Sequence, residues 1–240
     1  MKKKVSICQP HYLPWIGYFE MIDRVELFVF LDDVDFIKRE WKNRNKIRKD
    51  ARSADTKWLS VPIEHTDQRG TWIRDARIAD TPWRQQHMDG FRHVYRRTAH
   101  FADAFELLRS SLEGPQVTLG DLNVGSIATI CEYLGITTAL ERSSTTGCEG
   151  KKTDKLLSLA KSVNATSYLA NNGSAAYLDE SRFLEAGIDC AYQDYQHPDY
   201  GQAHGGEELP FLSHLSILDL IANHGPDALE VLREGRPSHA

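Results

Sequence analysis

The order of hydrophobic and polar positions predicts short buried strands that alternate with helices. Two apolar runs near the start, at 5–8 and 25–31, are rich in β-branched or aromatic residues and end at polar ones, as buried strands do. A stretch with helical spacing at about 16–22 lies between them. Strand, short helix and strand in close succession predict a βαβ unit with parallel strands.

The remainder of the chain continues this alternation, with helices concentrated in the middle. Segments 58–63 and 72–78 predict a hairpin, because two β-rich runs flank a polar loop that contains glycine. Further strands are predicted at 136–141, 167–170 and 188–192, and helices at 82–97, 101–112, 119–134, 154–163, 180–185, 213–223 and 226–232. The predicted fold class is α/β, a mostly parallel Rossmann-like three-layer sheet with a helical insertion or lid. We expect one α/β domain over 1–235, mainly helical at about 81–135, and a disordered tail at 236–240.

Composition narrows the class of protein. Of 240 residues, 41% are hydrophobic and 26% charged, which excludes a disordered, collagen-like or coiled-coil chain. Neither an apolar run of membrane-spanning length nor a signal-peptide pattern is present, so we expect a cytoplasmic protein without a membrane span. The four cysteines have no CxxC spacing, which argues against a zinc knuckle or redox pair, and Cys148 lies in a Gly-bounded run where its reactivity stays open.

Charge is distributed unevenly along the chain. The net charge is -5, yet segment 38–57 holds nine Lys or Arg against three acids, a local +6. We call this the basic segment. Arginine forms bidentate pairs with phosphate or carboxylate, which favours an anionic small-molecule ligand. Single-stranded nucleic acid and a merely solvated face are the alternatives, and the acidic whole-chain balance makes nucleic acid the weakest. The candidate binding residues here are Lys38, Arg39, Trp41, Asn43 and Arg44, with Asn45 as a candidate catalytic residue.

Loops at the carboxyl ends of the predicted strands are the other candidate site, because open parallel sheets bind ligands there. The loop after the first strand, QPHYLPWIGYF at 9–19, is aromatic and proline-rich, as suits a rigid pocket wall. The later loops begin with two carboxylates or carry hydroxyl, amide and imidazole groups. The candidates from these loops are Gln9, Tyr12, Trp15, Gly17, Ser143, Gly173 and Tyr200 for substrate binding, and Asp33 and His197 as general bases.

Several well-known signatures are missing. No GxxxxGK[ST], GxGxxG, GxSxG or HExxH motif is present, so neither a P-loop, a dinucleotide fingerprint, a serine hydrolase nor a dedicated zinc site is indicated. Asp32 and Asp33 could hold Mg²⁺ with a phosphate or could cap the following turn. No cofactor and no metal ligand are therefore predicted.

Motifs along nearly the whole chain carry a family resemblance. The run QPHYLPWIGYF at 9–19 is similar to the QPxYLPWxGYF opening of the WbqC-like family. The likeness continues through LDDV at 31–34, WKNRN at 41–45, WLSVP at 58–62, PWR at 82–84, YLD at 177–179, HPDYGQ at 197–202 and LSILDL at 215–220. On this resemblance Tyr177 and Gln202 join the candidate binding residues.

The resemblance implies a role in the biosynthesis of surface polysaccharides, such as O-antigen, or of natural products. The first hypothesis is a group-transfer enzyme that acts on a phosphorylated or nucleotide-linked small molecule, such as a nucleotide sugar, with acyl or aminoacyl transfer to an amine. Lys38, Arg39 and Arg44 would hold the anionic group, and Asn43 and Asn45 would orient the acyl group or sugar. The alternative is a non-catalytic binding module for an acidic partner, such as an acyl carrier protein, which the basic segment would attract.

Overall fold

A five-stranded parallel sheet flanked by helices organises the chain. A computed structural model describes residues 3–50, 53–64 and 70–237, and every structural statement below refers to these. The strands are β1 (Lys4–Cys8), β2 (Leu27–Phe30), β3 (Arg44–Arg48), β4 (Thr56–Ser60), β5 (Ala139–Arg142), β6 (Ser167–Ala170), β7 (Asp189–Tyr192), β8 (Ala203–His204) and β9 (Glu207–Glu208). The α-helices are α1 (Ile16–Asp23), α2 (Trp83–Tyr95), α3 (Phe101–Leu112), α4 (Leu119–Leu134), α5 (Thr153–Ser162), α6 (Glu180–Glu185), α7 (Ile217–His224) and α8 (Ala228–Glu234).

The strand order of the main sheet is β5-β2-β1-β6-β7, with parallel pairing throughout. Numbered among themselves along the chain, these strands read 3-2-1-4-5, the order of a Rossmann-like sheet. The predicted α/β class and the opening βαβ unit are thus confirmed. Connections run in opposite directions from β1 and β6, so the crevice between the carboxyl ends of these two strands is the topological switch point.

Helices cover both faces of the sheet because its central strands are apolar on both faces. In β2, Leu27 and Val29 belong to one core cluster, together with residues of α5 and α6. Phe28 and Phe30 belong to the other, together with residues of α1, α4 and α7. Alternate side chains of a strand point to opposite faces, so a strand buried on both faces reads as a continuous apolar run.

The helical middle of the chain shares the larger of these two cores. Phe91 of α2, Leu108 of α3 and Ile130 of α4 are fully buried in the same cluster as the residues of α1. Helix α4 has the predicted bounds, because its ends carry local signals. The hydroxyl of Thr118 accepts a hydrogen bond from the Asp121 N–H, and Gly135 ends the helix with φ of 72°.

The predicted hairpin between 58–63 and 72–78 is wrong. The basic segment itself supplies the partner strand: β3 pairs antiparallel with β4, from Arg44 opposite Ser60 to Arg48 opposite Thr56. Segment 72–78 instead contains a short 3-10 turn, Ile73–Asp75, and contacts the first segment through an isolated bridge between Ile63 and Ile78. Charged side chains on β3 obscured its alternation of buried and less buried positions.

Two predictions concern membranes and the carboxyl terminus. Across the described ranges, no helix combines the length and apolar character needed to cross a bilayer. The tail predicted at 236–240 stays a prediction, since 238–240 lie outside the described residues. Within the described part, the Arg236 guanidinium pairs with Glu20 at 3.2 Å.

Candidate functional site

A cleft of about 1200 Å³ opens at the carboxyl ends of the sheet strands. Residues in the loops that follow four strands line it: Gln9 after β1, Asp33 after β2, Asn171 after β6 and Gln193 after β7. It therefore spans the switch point between β1 and β6, where Rossmann-like proteins bind their ligands. Its volume suits a ligand at or above the size of a typical small molecule.

Trp15 forms part of the cleft wall at the start of α1. Its indole stacks on the ring of His214, with centroids 4.9 Å apart, and meets Tyr195 edge-on at 5.8 Å. Gly17 lies directly beneath it, since a Cβ at that position would come within 2.3 Å of the Trp15 ring. The Gln193 amide donates a hydrogen bond of 2.6 Å to the Gly17 carbonyl. The opening loop thus fixes an aromatic wall.

The two adjacent carboxylates after β2 have different surroundings. Asp32 is fully buried and accepts hydrogen bonds from the Ser144 N–H at 3.1 Å and the Ser144 hydroxyl at 2.9 Å. Its role is therefore to tie the loop after β5 to the end of β2. Asp33 lines the cleft and pairs with the Lys155 ammonium at 2.7 Å, while the Ser143 hydroxyl donates to its other oxygen. Among the described residues, no group of three His, Cys, Asp or Glu is placed to hold a metal ion.

Beside β1, the cleft is lined by Lys42, Cys8 and His11. Lys42 is 5% exposed, burial lowers its pKa, and its ammonium contacts the Glu40 carboxylate. Burial, with the Lys42 charge as a smaller cause, lowers the pKa of His11 to about 3. Burial also raises the pKa of the Cys8 thiol to about 12. At neutral pH this region therefore presents a neutral imidazole and a neutral thiol beside a lysine–glutamate pair.

The loop between β5 and α5 contributes further lysines. Lys151 and Lys152 are exposed and line the cleft, and Lys155 follows one turn later on α5. Gly150, with φ of 114°, turns the chain into this run. Lysine ammonium groups on a cleft wall bind phosphate as compact point charges.

The predicted site residues divide into two groups. The structure brings seven of them to the cleft: Gln9, Trp15, Gly17, Asp33, Trp41, Gly173 and Tyr177. The other ten lie outside its lining: Tyr12, Lys38, Arg39, Asn43, Arg44, Asn45, Ser143, His197, Tyr200 and Gln202. Their surroundings show what most of these ten side chains do.

The amides of the WKNRN motif hold backbone. Asn45 is 2% exposed and donates to the Tyr12 and Leu13 carbonyls at 3.2 and 2.6 Å. Asn43 donates to the Val61 carbonyl at 3.1 Å. The Arg44 guanidinium stacks over the exposed Trp58 ring, 4.0 Å from its centroid.

His197 contacts the wall of the cleft from outside its lining. Its ring stacks on Trp15 with centroids 5.9 Å apart. Its Nε2 accepts the His214 N–H at 3.1 Å, so Nδ1 carries the proton and donates to the Pro198 carbonyl at 2.8 Å. Burial lowers the pKa of His197. Both ring nitrogens are thus engaged in positioning the loop.

Tyr200 and Gln202 belong to a buried polar network with Asp219 and Arg48. The Tyr200 hydroxyl and the Gln202 amide donate to Asp219 at 2.9 and 2.8 Å, and the Arg48 guanidinium donates to the Gln202 carbonyl oxygen. Burial raises the pKa of Asp219, against the hydrogen bonds that lower it. This network ties β3 to α7, at a distance from the cleft lining.

Sequence reasoning missed several residues that line the cleft. Lys42 lies inside the WKNRN motif, but a charge run does not show which of its lysines turns inward. Lys155 belongs to no recognised motif. Its place in the first turn of a helix that follows a glycine-rich loop was nevertheless a usable signal of a binding residue. Trp72 was assigned to a strand, and its position depends on a backbone bridge to Asp35.

The fold and the site together define the class of this protein: a Rossmann-like α/β protein with a large cleft at its switch point. The comparisons with known proteins agree with the motifs. The chain belongs to the WbqC-like protein family, whose model matches residues 9–231, and the family prediction is confirmed. It is also 36% identical over 233 residues to "Uncharacterized protein Rv1507c" of Mycobacterium tuberculosis (strain ATCC 25618 / H37Rv), covering 96% of this chain and 98% of that protein. No solved structure matches the chain.

Proposed function

We propose that the protein is a group-transfer enzyme whose substrate is a phosphorylated or nucleotide-linked small molecule bound in the cleft. The transfer is of an acyl or aminoacyl group to an amine, in the biosynthesis of a surface polysaccharide or natural product. The observation that carries the proposal is the cleft itself, which lies at the switch point and is lined by lysines, amides and aromatic rings.

Electrostatics of the cleft support an anionic ligand. Four lysines line it, at 42, 151, 152 and 155, against three carboxylates at 33, 35 and 40. Lys42 and Lys155 are paired with Glu40 and Asp33, whereas ion pairs between described residues do not include Lys151 or Lys152. These two lysines supply the positive excess of the cleft, and we assign them to the phosphate groups of the ligand.

Asp33 is the base in this proposal. Its carboxylate lines the cleft and lies 2.7 Å from the Lys155 ammonium. The acceptor nitrogen attacks the acyl carbon, and the leaving group departs with the electron pair of the bond that joined it to that carbon. The proton released from nitrogen passes to Asp33. Burial raises the pKa of the Cys8 thiol to about 12, and Cys8 has no role in the proposed transfer.

Calorimetric titration of a panel of nucleotide sugars and sugar phosphates tests the binding part. The double variant Lys151→Ala/Lys152→Ala should weaken binding about fivefold or more, since each exposed charge contributes up to about 1 kcal/mol. Arg44→Ala is the matched control, because this basic residue lies outside the cleft lining. Absence of binding by the wild type across the panel would overturn the proposal, and so would an equal loss in the Arg44 variant.

The second candidate, a non-catalytic module for an acidic partner, rests on the exposed part of the basic segment. Lys38, Arg39 and Lys49 are exposed and lie outside the cleft lining, while Lys42 is buried at the cleft. The basic segment thus contributes Lys42 to the cleft of the first candidate function, and its exposed Lys and Arg residues to the partner surface of the second. A partner that co-purifies at low salt and dissociates at high salt, together with no small-molecule binding, would favour the module.

A further inference from the structure

Exposed apolar side chains concentrate at the cleft. Seven large hydrophobic side chains are exposed among the described residues, and four of them line the cleft: Ile37, Trp41, Trp72 and Tyr177. We call these four the apolar rim. Exposed apolar surface rimmed by polar groups marks a binding site, because covering it releases ordered water. The lysines of the same cleft therefore contact only the anionic part of the ligand, and a second part of the ligand covers the apolar rim.

Backbone contacts hold the two tryptophans of the apolar rim in place. The Trp41 carbonyl accepts the Tyr12 N–H at 3.0 Å, and Trp72 forms a backbone bridge with Asp35. Their side chains nevertheless remain 42% and 39% exposed. The Arg74 guanidinium lies 4.5 Å from the centroid of Trp72, so it occupies one face of that indole. A fixed, half-exposed indole is a stacking surface for a planar ring.

We infer that the apolar rim binds the planar ring of a nucleobase, so that the substrate class is a nucleoside diphosphate or its sugar ester. The inference rests on the proposed function and narrows it. The base stacks on Trp72, because the Trp41 ring already contacts Trp58, while the diphosphate reaches Lys151 and Lys152. A sugar phosphate without a nucleobase has no aromatic ring to stack on the apolar rim and would bind mainly through its charge.

Substitution of the tryptophans, tested with ligands that have or lack a nucleobase, separates the contribution of stacking from that of charge. The probes are uridine diphosphate and adenosine diphosphate on one side, and pyrophosphate and a hexose 1-phosphate on the other. Trp72→Ala should weaken nucleoside diphosphate binding about tenfold and leave pyrophosphate binding unchanged, because stacking on an aromatic side chain contributes that much per base. Trp72→Phe should retain most of the affinity.

Trp58→Ala is the control for a general effect of losing an exposed indole. Trp58 is 39% exposed, like Trp72, but lies outside the cleft lining. Its ring contacts that of Trp41 with centroids 5.5 Å apart, so the comparison of Trp72→Ala with Trp58→Ala is the decisive one. Equal affinity of the wild type for the probes with and without a nucleobase, or equal effects of these two substitutions, would overturn the inference and leave the proposed function standing. Binding of no probe at all would overturn both.

Discussion

Replacement of Asn45 by aspartate should destabilise the fold and leave the chemistry of the folded protein intact. The two side chains have nearly the same shape, but aspartate has an oxygen where Asn45 has its donor nitrogen. That nitrogen lies 3.2 Å from the Tyr12 carbonyl and 2.6 Å from the Leu13 carbonyl. Leu13 has φ of 41°, a conformation that an L-residue adopts only where its surroundings hold it. Asn45 is thus part of what fixes the opening loop.

The expected cost follows from the groups left without partners. Each buried carbonyl that loses its donor costs about 1–3 kcal/mol, and two carbonyls are affected. The introduced carboxylate is itself buried and faces acceptor oxygens, which adds a further penalty at neutral pH. We therefore expect the free energy of unfolding to fall by about 3–5 kcal/mol, a large part of the stability of a typical domain.

Urea unfolding at pH 7, followed by circular dichroism, measures this difference. Gln86→Glu on the exposed surface of α2 is the matched control, since it makes the same amide-to-carboxylate change without burial and should shift stability by less than about 0.5 kcal/mol. A different result would refute the reasoning. If Asn45→Asp kept the unfolding free energy of the wild type but lost turnover with ligand still bound, Asn45 would act in the reaction as the sequence predicted.

Two further predictions concern ionisation. Burial lowers the pKa of His11 to about 3 and of His87 to about 4, so their imidazole NMR signals should not titrate between pH 8 and 5. Because these histidines have a lower pKa in the folded protein, protons bind the unfolded chain in preference to the folded one. Their contribution to the free energy of unfolding should be constant above about pH 6.5 and fall as the pH drops below that value. An equal urea midpoint at pH 7 and 5 would contradict this. Partial burial opposes ionisation of Cys148, but hydroxyl hydrogen bonds and the Lys155 charge outweigh it and lower the pKa of its thiol. Iodoacetamide at pH 8 should therefore label Cys148 before Cys8, and mass spectrometry that finds the reverse order would refute this ranking.

The sequence predicted those parts of the fold that local signals determine. Helix α4 has its cap at Thr118 and its glycine stop at Gly135, and both signals lie within the helix and its flanks. Strand β2 is a continuous apolar run, as expected of a strand that is covered on both faces of its sheet. The pairing of β3 with β4 was not predictable in this way, because charged residues at Arg44 and Lys46 alternate with buried ones and conceal the period of two.

The candidate site was predictable where it follows from topology. Gln9, Asp33 and Gly173 follow parallel strands, and the rule for strand ends places all three at one edge of the sheet. Lys42 depends on contacts that no local pattern reveals: the amide of Asn123, far along the chain on α4, donates to its carbonyl at 2.7 Å. Long-range hydrogen bonds of this kind decide which residue of a motif faces the ligand.

The basic segment shows why a charge count along the chain does not locate an electrostatic site. Arg48 is 2% exposed, and its guanidinium is satisfied by Gln202 and by the Ser53 and Pro210 carbonyls, so its charge is committed to the interior. Arg44 stacks on a tryptophan outside the cleft, and Lys42 is neutralised by Glu40. Because the uncommitted positive charges of the cleft come from 151 and 152, far downstream, the attraction that an anionic ligand meets there arises mainly outside the most basic part of the sequence.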